Sequence, residues 1–140
     1  MELNEILSFL QQNSAAIIAP INGLVAVTGF VVSAIYWLKF KKSKTPSVRV
    51  LALGISATAF GVALQRSYWA IGRAFEYLNL LPFEFFNQWS WITLFPLAIV
   101  VYGYSKHLQL AMEETFGKFS YSVFLGLLVA LYGIIYFLLN

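Results

Sequence analysis

The sequence predicts an all-α polytopic membrane protein, a bundle of four transmembrane helices preceded by a short amphipathic helix. Three observations carry this expectation. Of 140 residues, 60% are hydrophobic, 18% aromatic and only 11% charged, whereas a soluble domain carries about 25% charged residues. Mean hydropathy is +0.75. The nine basic and six acidic side chains are also clustered, so that they divide the chain into four apolar stretches, each close to the roughly 20 residues that cross a bilayer as helix. A soluble body of this size could not hide so much apolar surface, and the whole chain reads as one integral membrane domain.

The first element is the amphipathic helix, over 2–12. Leu3, Ile6, Leu7 and Leu10 recur at i, i+3, i+4 and i+7 while Glu2, Asn4, Glu5, Ser8 and Gln11 fall mainly on the other face, the helical period. It lacks the basic face that favours anionic lipid, so packing against its own bundle or a partner is expected. The first span covers about 16–38, entered through Asn13 and Ser14 as caps with Pro20 near the first turn, where a missing N–H costs little. A linker, Lys41 to Ser47 with Pro46 inside it, leads to the second span over about 47–66. Its charge-free stretch from Val50 to Gln65 is 16 residues, about 24 Å of helix, so the membrane should end near Arg66 while the helix continues through Arg73 toward Asn79. The third span covers about 85–105 with Pro96 expected to kink it, and the fourth about 119–139. The N-terminus has neither the basic region nor the cleavage site of a secretory signal, so the first apolar segment is expected to be retained.

Orientation follows from the basic residues near the span ends. The first connection holds Lys39, Lys41, Lys42, Lys44 and Arg49 and the third Lys106 and Lys118, against only Arg66 and Arg73 in the second. Seven against two places the first and third connections in the cytoplasm and both termini on the non-cytoplasmic side, in a bacterial inner membrane or a viral or host membrane. The basic run is read as topology-determining, and no nucleic-acid partner is expected.

Two absences restrict the chemistry. There is no cysteine, and all six acids are glutamate, so thiolate nucleophiles, zinc–thiolate centres and aspartate-based triads are excluded. His107, the single histidine, belongs to neither a Glu-x-x-His repeat nor a paired-histidine motif; with Glu113, Glu114 and Lys118 it reads as a solvated helix turn, Glu114 and Lys118 being spaced to pair at i, i+4. Gly117-Lys118 is no phosphate loop, because Met112 and Phe119 occupy the places of its first glycine and its Ser or Thr. No catalytic residue, metal ligand or cofactor is expected.

Ionisable groups near membrane depth are the remaining functional candidates. Arg66, Arg73 and Glu76 share a stripe of the second helix, with Gln65 beside them, and Glu84 lies among Phe83, Phe85, Phe86, Trp89 and Trp91. Such a set reads as a polar cluster in which Glu84 pairs with Arg66 or Arg73 beneath an interfacial aromatic segment. The alternative is a snorkelling Arg66 at the membrane boundary. Small residues form two further stripes, Gly54, Ala57, Thr58 and Gly61 on the second span and Gly126, Ala130 and Gly133 on the fourth, and in lipid such faces permit close helix contact.

The expected function is therefore that of a non-enzymatic small multi-pass protein that packs or oligomerises through its helices. Its partners would be the lipid bilayer and copies of itself or other membrane subunits. In outline of size and span number alone the chain resembles holins and assembly subunits of viral or bacterial membranes, which implies a structural subunit or a pore former; its end, Phe137-Leu138-Leu139-Asn140, departs from the charged tail of many holins. Two alternatives stand beside it: a small anion channel or carrier using Arg66, Arg73 and Glu76, and a membrane enzyme acting on lipid.

Overall fold

Residues 3–139 are described by a computed structural model, and every regular element among them is helical. Helix α1 spans Leu3–Gln12 and buries no residue; Glu2, expected at its start, lies outside the described residues. Helix α2 follows at once, over Ser14–Lys42. The junction is almost continuous, because the N–H of Asn13 donates to the Phe9 carbonyl at 3.0 Å and that of Ile17 to the Asn13 carbonyl at 3.1 Å. Asn13 does not cap α2 with its side chain, as the sequence suggested; its amide donates backward to the same Phe9 oxygen at 2.9 Å. Ser14 is already helical and Pro20 lies inside α2, so Pro20 is not a first-turn proline. Its ring removes a donor from the helix interior, yet the helix continues.

Helix α3, Pro46–Tyr77, is the longest at 32 residues. Pro46 stands at its first turn, where its fixed φ is compatible with helix entry. At 1.5 Å per residue it is about 48 Å long, well beyond the roughly 30 Å of a hydrocarbon core. Arg66 and Arg73 thus belong to the same unbroken helix as the apolar span. It ends in a Schellman motif: Asn79 takes φ +54°, its N–H donates to the Glu76 carbonyl at 3.1 Å, and that of Leu80 to the Phe75 carbonyl at 2.9 Å. Asparagine is the non-glycine residue that best tolerates this left-handed conformation.

The third expected span is divided. Residues 85–105 fall across helix α4 (Phe83–Gln88), a 3-10 turn (Ser90–Thr93) and helix α5 (Leu94–Phe116). Pro96 lies in the first turn of α5, where amide N–H groups have no intrahelical partner, so the break precedes it and no proline kink is needed. The apolar part of α5, 94–104, is 11 residues, about 17 Å, before Ser105, Lys106 and His107 interrupt it. Three helices, α2, α3 and α6 (Ser120–Leu139), are long and apolar enough to cross a membrane; the four-span expectation narrows to these. Helix α5 stops at Gly117, whose φ of +102° suits glycine. Lys118 therefore lies past the helix, and the expected i, i+4 pair with Glu114 has no helical frame.

Helix α3 is the spine. Gly29 of α2 faces Ala59 and Ala63 on one side of it, while Gly54 and Gly61 face Gly103, His107, Pro96 and Val100 of α5 on the other. These close approaches explain why Ala52, Gly54, Ser56, Gly61, Ala63 and Gly72 of α3 are all buried: only small side chains let backbones come this near. Helix α6 turns away after Gly117 and buries no residue. The accessible surface is 10097 Å², against about 7,300 Å² for a compact soluble chain of this mass. Water is the wrong solvent for the excess.

Candidate functional site

The polar groups that the helices bring together lie at three depths of the α2–α3–α5 sheaf. At mid-depth, Ser33 of α2 and Ser56 of α3 meet. Their hydroxyl oxygens are 3.2 Å apart, and the Ser56 hydroxyl donates to the Ser33 carbonyl at 2.9 Å. Both side chains are buried, so the pair ties the two helices where neither group meets water. On the opposite side of α3, the Thr58 hydroxyl oxygen is buried without a hydrogen-bond partner; a Cβ added at Gly103 would collide with it. Close approach of α5 here leaves no room for a partner. His107 does not stand in a solvated turn, since its ring is half-buried against Gly54. Glu113 accepts a hydrogen bond from the Gln109 side chain at 3.0 Å.

Toward the end of α3 the expected polar cluster resolves into separate pairs. The Arg66 guanidinium donates to the Asn22 side-chain oxygen at 3.3 Å, a contact between α3 and a buried residue of α2. Arg73 pairs instead with Glu76, three residues on, at 2.8 Å, and its guanidinium carbon stands 3.6 Å from the centre of the Phe83 ring. Glu84, expected to pair with Arg66 or Arg73, is exposed and forms no ion pair among the described residues. The physical reason is reach: Glu76 lies one turn from Arg73 on the same helix, while Phe83, at the start of α4, occupies the guanidinium face. Glu84 lines a surface cavity with Glu76 and Asn79.

The aromatic segment closes this end of the sheaf. Phe86 of α4 is buried against Gly72, where a Cβ would come within 2.9 Å of its ring. The Tyr68 hydroxyl donates to the Phe86 carbonyl at 2.6 Å, and edge contacts join Phe86 to Tyr68, Phe75 and Phe85. Trp89 and Trp91 remain exposed, as rings at a headgroup level do.

The opposite end is basic. Lys39, Lys41 and Arg49 lie over the rings of Tyr36, Trp37 and Phe40 at 5.7, 5.4 and 5.1 Å, and Lys106 of α5 lies over Tyr102 at 5.3 Å. The antiparallel run of α3 and α5, with Gly54 beside Gly103 and Gly61 beside Pro96, puts the basic residues of the first connection and Lys106 at the same end.

The two small-residue stripes differ in surroundings. Gly54 and Gly61 are enclosed, whereas nothing lies within 4 Å of a Cβ built at Gly126 or Gly133, and Ala130 is exposed. Sequence reasoning missed Asn22, Ser33, Ser56, Gly72 and Gly103. A polar residue inside an apolar span was the available signal for the first three. No group of three or more His, Asp or Glu that could hold a metal occurs among the described residues. Compared with known protein families, curated proteins and solved structures, the chain matches none of them.

Proposed function

We propose that this chain is a non-enzymatic membrane subunit that works by assembling through α6, with copies of itself or with other membrane proteins. The observation that supports the reading is the state of α6: 20 residues, none of them buried, carrying Gly126, Ala130 and Gly133 with open space before both glycines. A helix of this kind contributes almost nothing to its own fold. Small residues spaced along one face are what a neighbouring helix needs for backbone approach in lipid. A structural subunit and a holin-like pore former both follow from such association. In this reading α5, which lies alongside α3, also passes through the membrane, and both termini are non-cytoplasmic. The anion-channel alternative gains nothing from the arginines, since Arg66 is engaged by Asn22 and the charge of Arg73 is offset by Glu76.

The test uses the absence of native cysteine. A single cysteine at Ala130, oxidised in native membranes, should give a disulfide-linked dimer, and one at Leu127 or Val129 should give less. Equal yield at all three positions, or none at any, would overturn assembly through this face. Impermeant labelling of intact cells should reach a cysteine at Asn4 and not one at Ser43; the reverse pattern would invert the topology.

A further inference from the structure

We propose that the basic end of the sheaf holds a binding site for one anionic phospholipid, in the groove between the last two turns of α2 and the start of α3. The groove has a volume of about 520 Å³ and is lined by Ile35, Leu38, Lys39, Lys42, Ser43 and Val48. Four of these, Ile35, Leu38, Lys39 and Lys42, occupy i, i+3, i+4 and i+7 of α2, a single face. Along it the chemistry changes in one direction: two aliphatic side chains, then two ammonium groups, over about 10 Å of helix. A glycerophospholipid has the same order, acyl carbons followed by a phosphate, and it would enter from the bilayer side without turning.

No carboxylate lines the cationic end of the groove. No acidic residue occurs from Lys39 through Arg49, and the single ion pair among the described residues is Arg73–Glu76, at the other end of α3. Lys41 and Arg49 lean over aromatic rings, and Lys39 also touches Tyr36. Lys42 makes no such contact and faces the groove. The start of α3 adds to the same field: Thr45 supplies no side-chain cap and Pro46 no N–H, which leaves the amides of Ser47 and Val48 as unpaired first-turn donors. An uncharged headgroup would leave these cations unmatched. Basic pockets of this kind between transmembrane helices suit anionic headgroups. The inference rests on the membrane location of the chain and is independent of assembly through α6.

The experiment measures binding of palmitoyl-oleoyl phosphatidylglycerol and of the matching phosphatidylcholine to the full chain in a non-ionic detergent, by native mass spectrometry. Phosphatidylglycerol should bind more tightly. K39Q/K42Q should weaken it about 30-fold, from two lysines at about fivefold each. K41Q/K44Q, with the same net charge but outside the groove, should change it less than about threefold, since only diffuse attraction is lost. Val48→Trp, which fills the apolar wall and keeps every charge, should also weaken binding, so the test survives if the lysine variant fails to fold. Equal affinity for the two lipids would overturn the proposal. So would equal losses in the two lysine pairs, unchanged binding in Val48→Trp, or displacement of the lipid by equimolar inorganic phosphate.

Discussion

Gly61 marks one close approach of α3 to α5, and Gly61→Val is the perturbation that measures how much the fold depends on it. A Cβ at position 61 would stand 2.6 Å from the Pro96 carbonyl oxygen, 2.7 Å from Val100 Cγ2 and 3.0 Å from the Val100 nitrogen, where ordinary contact begins at 3.4 Å. Two of these neighbours are backbone atoms and cannot rotate away. The helices must part by about 0.8 Å, and in an interior packed this densely the whole α3–α5 seam feels the shift. Overpacking of this kind costs about 1–3 kcal/mol. Valine is a better helix former than glycine, so any loss comes from the contact and not from the helix itself. For a chain of this length the loss corresponds to a fall in unfolding temperature of about 3–12 °C. Thermal unfolding in non-ionic detergent, followed by circular dichroism, reads it directly. Gly23→Val is the control, because nothing stands within 4 Å of its Cβ in the chain, and its unfolding temperature should not fall below the parent's. If Gly61→Val also unfolds with the parent, α3 and α5 do not meet at that distance and the spine arrangement is wrong.

Two further predictions use the same assay. A double-mutant cycle on Arg73→Gln and Glu76→Gln should return a coupling of at most about 0.3–0.5 kcal/mol, small because both side chains, at 25% and 36% exposure, are partly solvated; Arg73→Gln with Glu84→Gln should be additive, and a larger coupling to Glu84 would reassign the pair. Ser56→Ala should cost about 1 kcal/mol by removing the donor to the Ser33 carbonyl and leaving the buried Ser33 hydroxyl without its acceptor, while Ser33→Ala/Ser56→Ala should cost little more than the single change. Additive losses would mean that the two hydroxyls do not act on each other.

The amino-acid pattern announces the helices of this fold more clearly than their partners. Composition and apolar length identify α2, α3 and α6, and the stretch of α3 past Arg66 is already visible in the spacing of Arg73 and Tyr77. Residues 85–105 mislead because hydrophobicity alone does not separate a continuous helix from a short helix, a 3-10 turn and a second helix in succession. Pro96 marks that boundary, but a proline at the first turn and a proline at a kink look alike in one dimension. At the polar end the sequence points to Glu84, a carboxylate among aromatic rings, as the partner of Arg66 or Arg73; helical geometry and the Phe83 ring favour Glu76 for Arg73. Asn22 escaped notice because its partner, Arg66, lies 44 positions away.

The position of the buried residues along the chain has a consequence for its biosynthesis. Every buried residue among those described, from Asn22 to Gly103, precedes Ser105. At a synthesis rate of about 5–20 residues per second, the 36 residues from Gly103 to Leu139 take about 2–7 s. All the interior side chains of the α2, α3 and α5 sheaf are therefore made before α6 is finished. Burial of the α2–α3–α5 interior thus does not wait on α6.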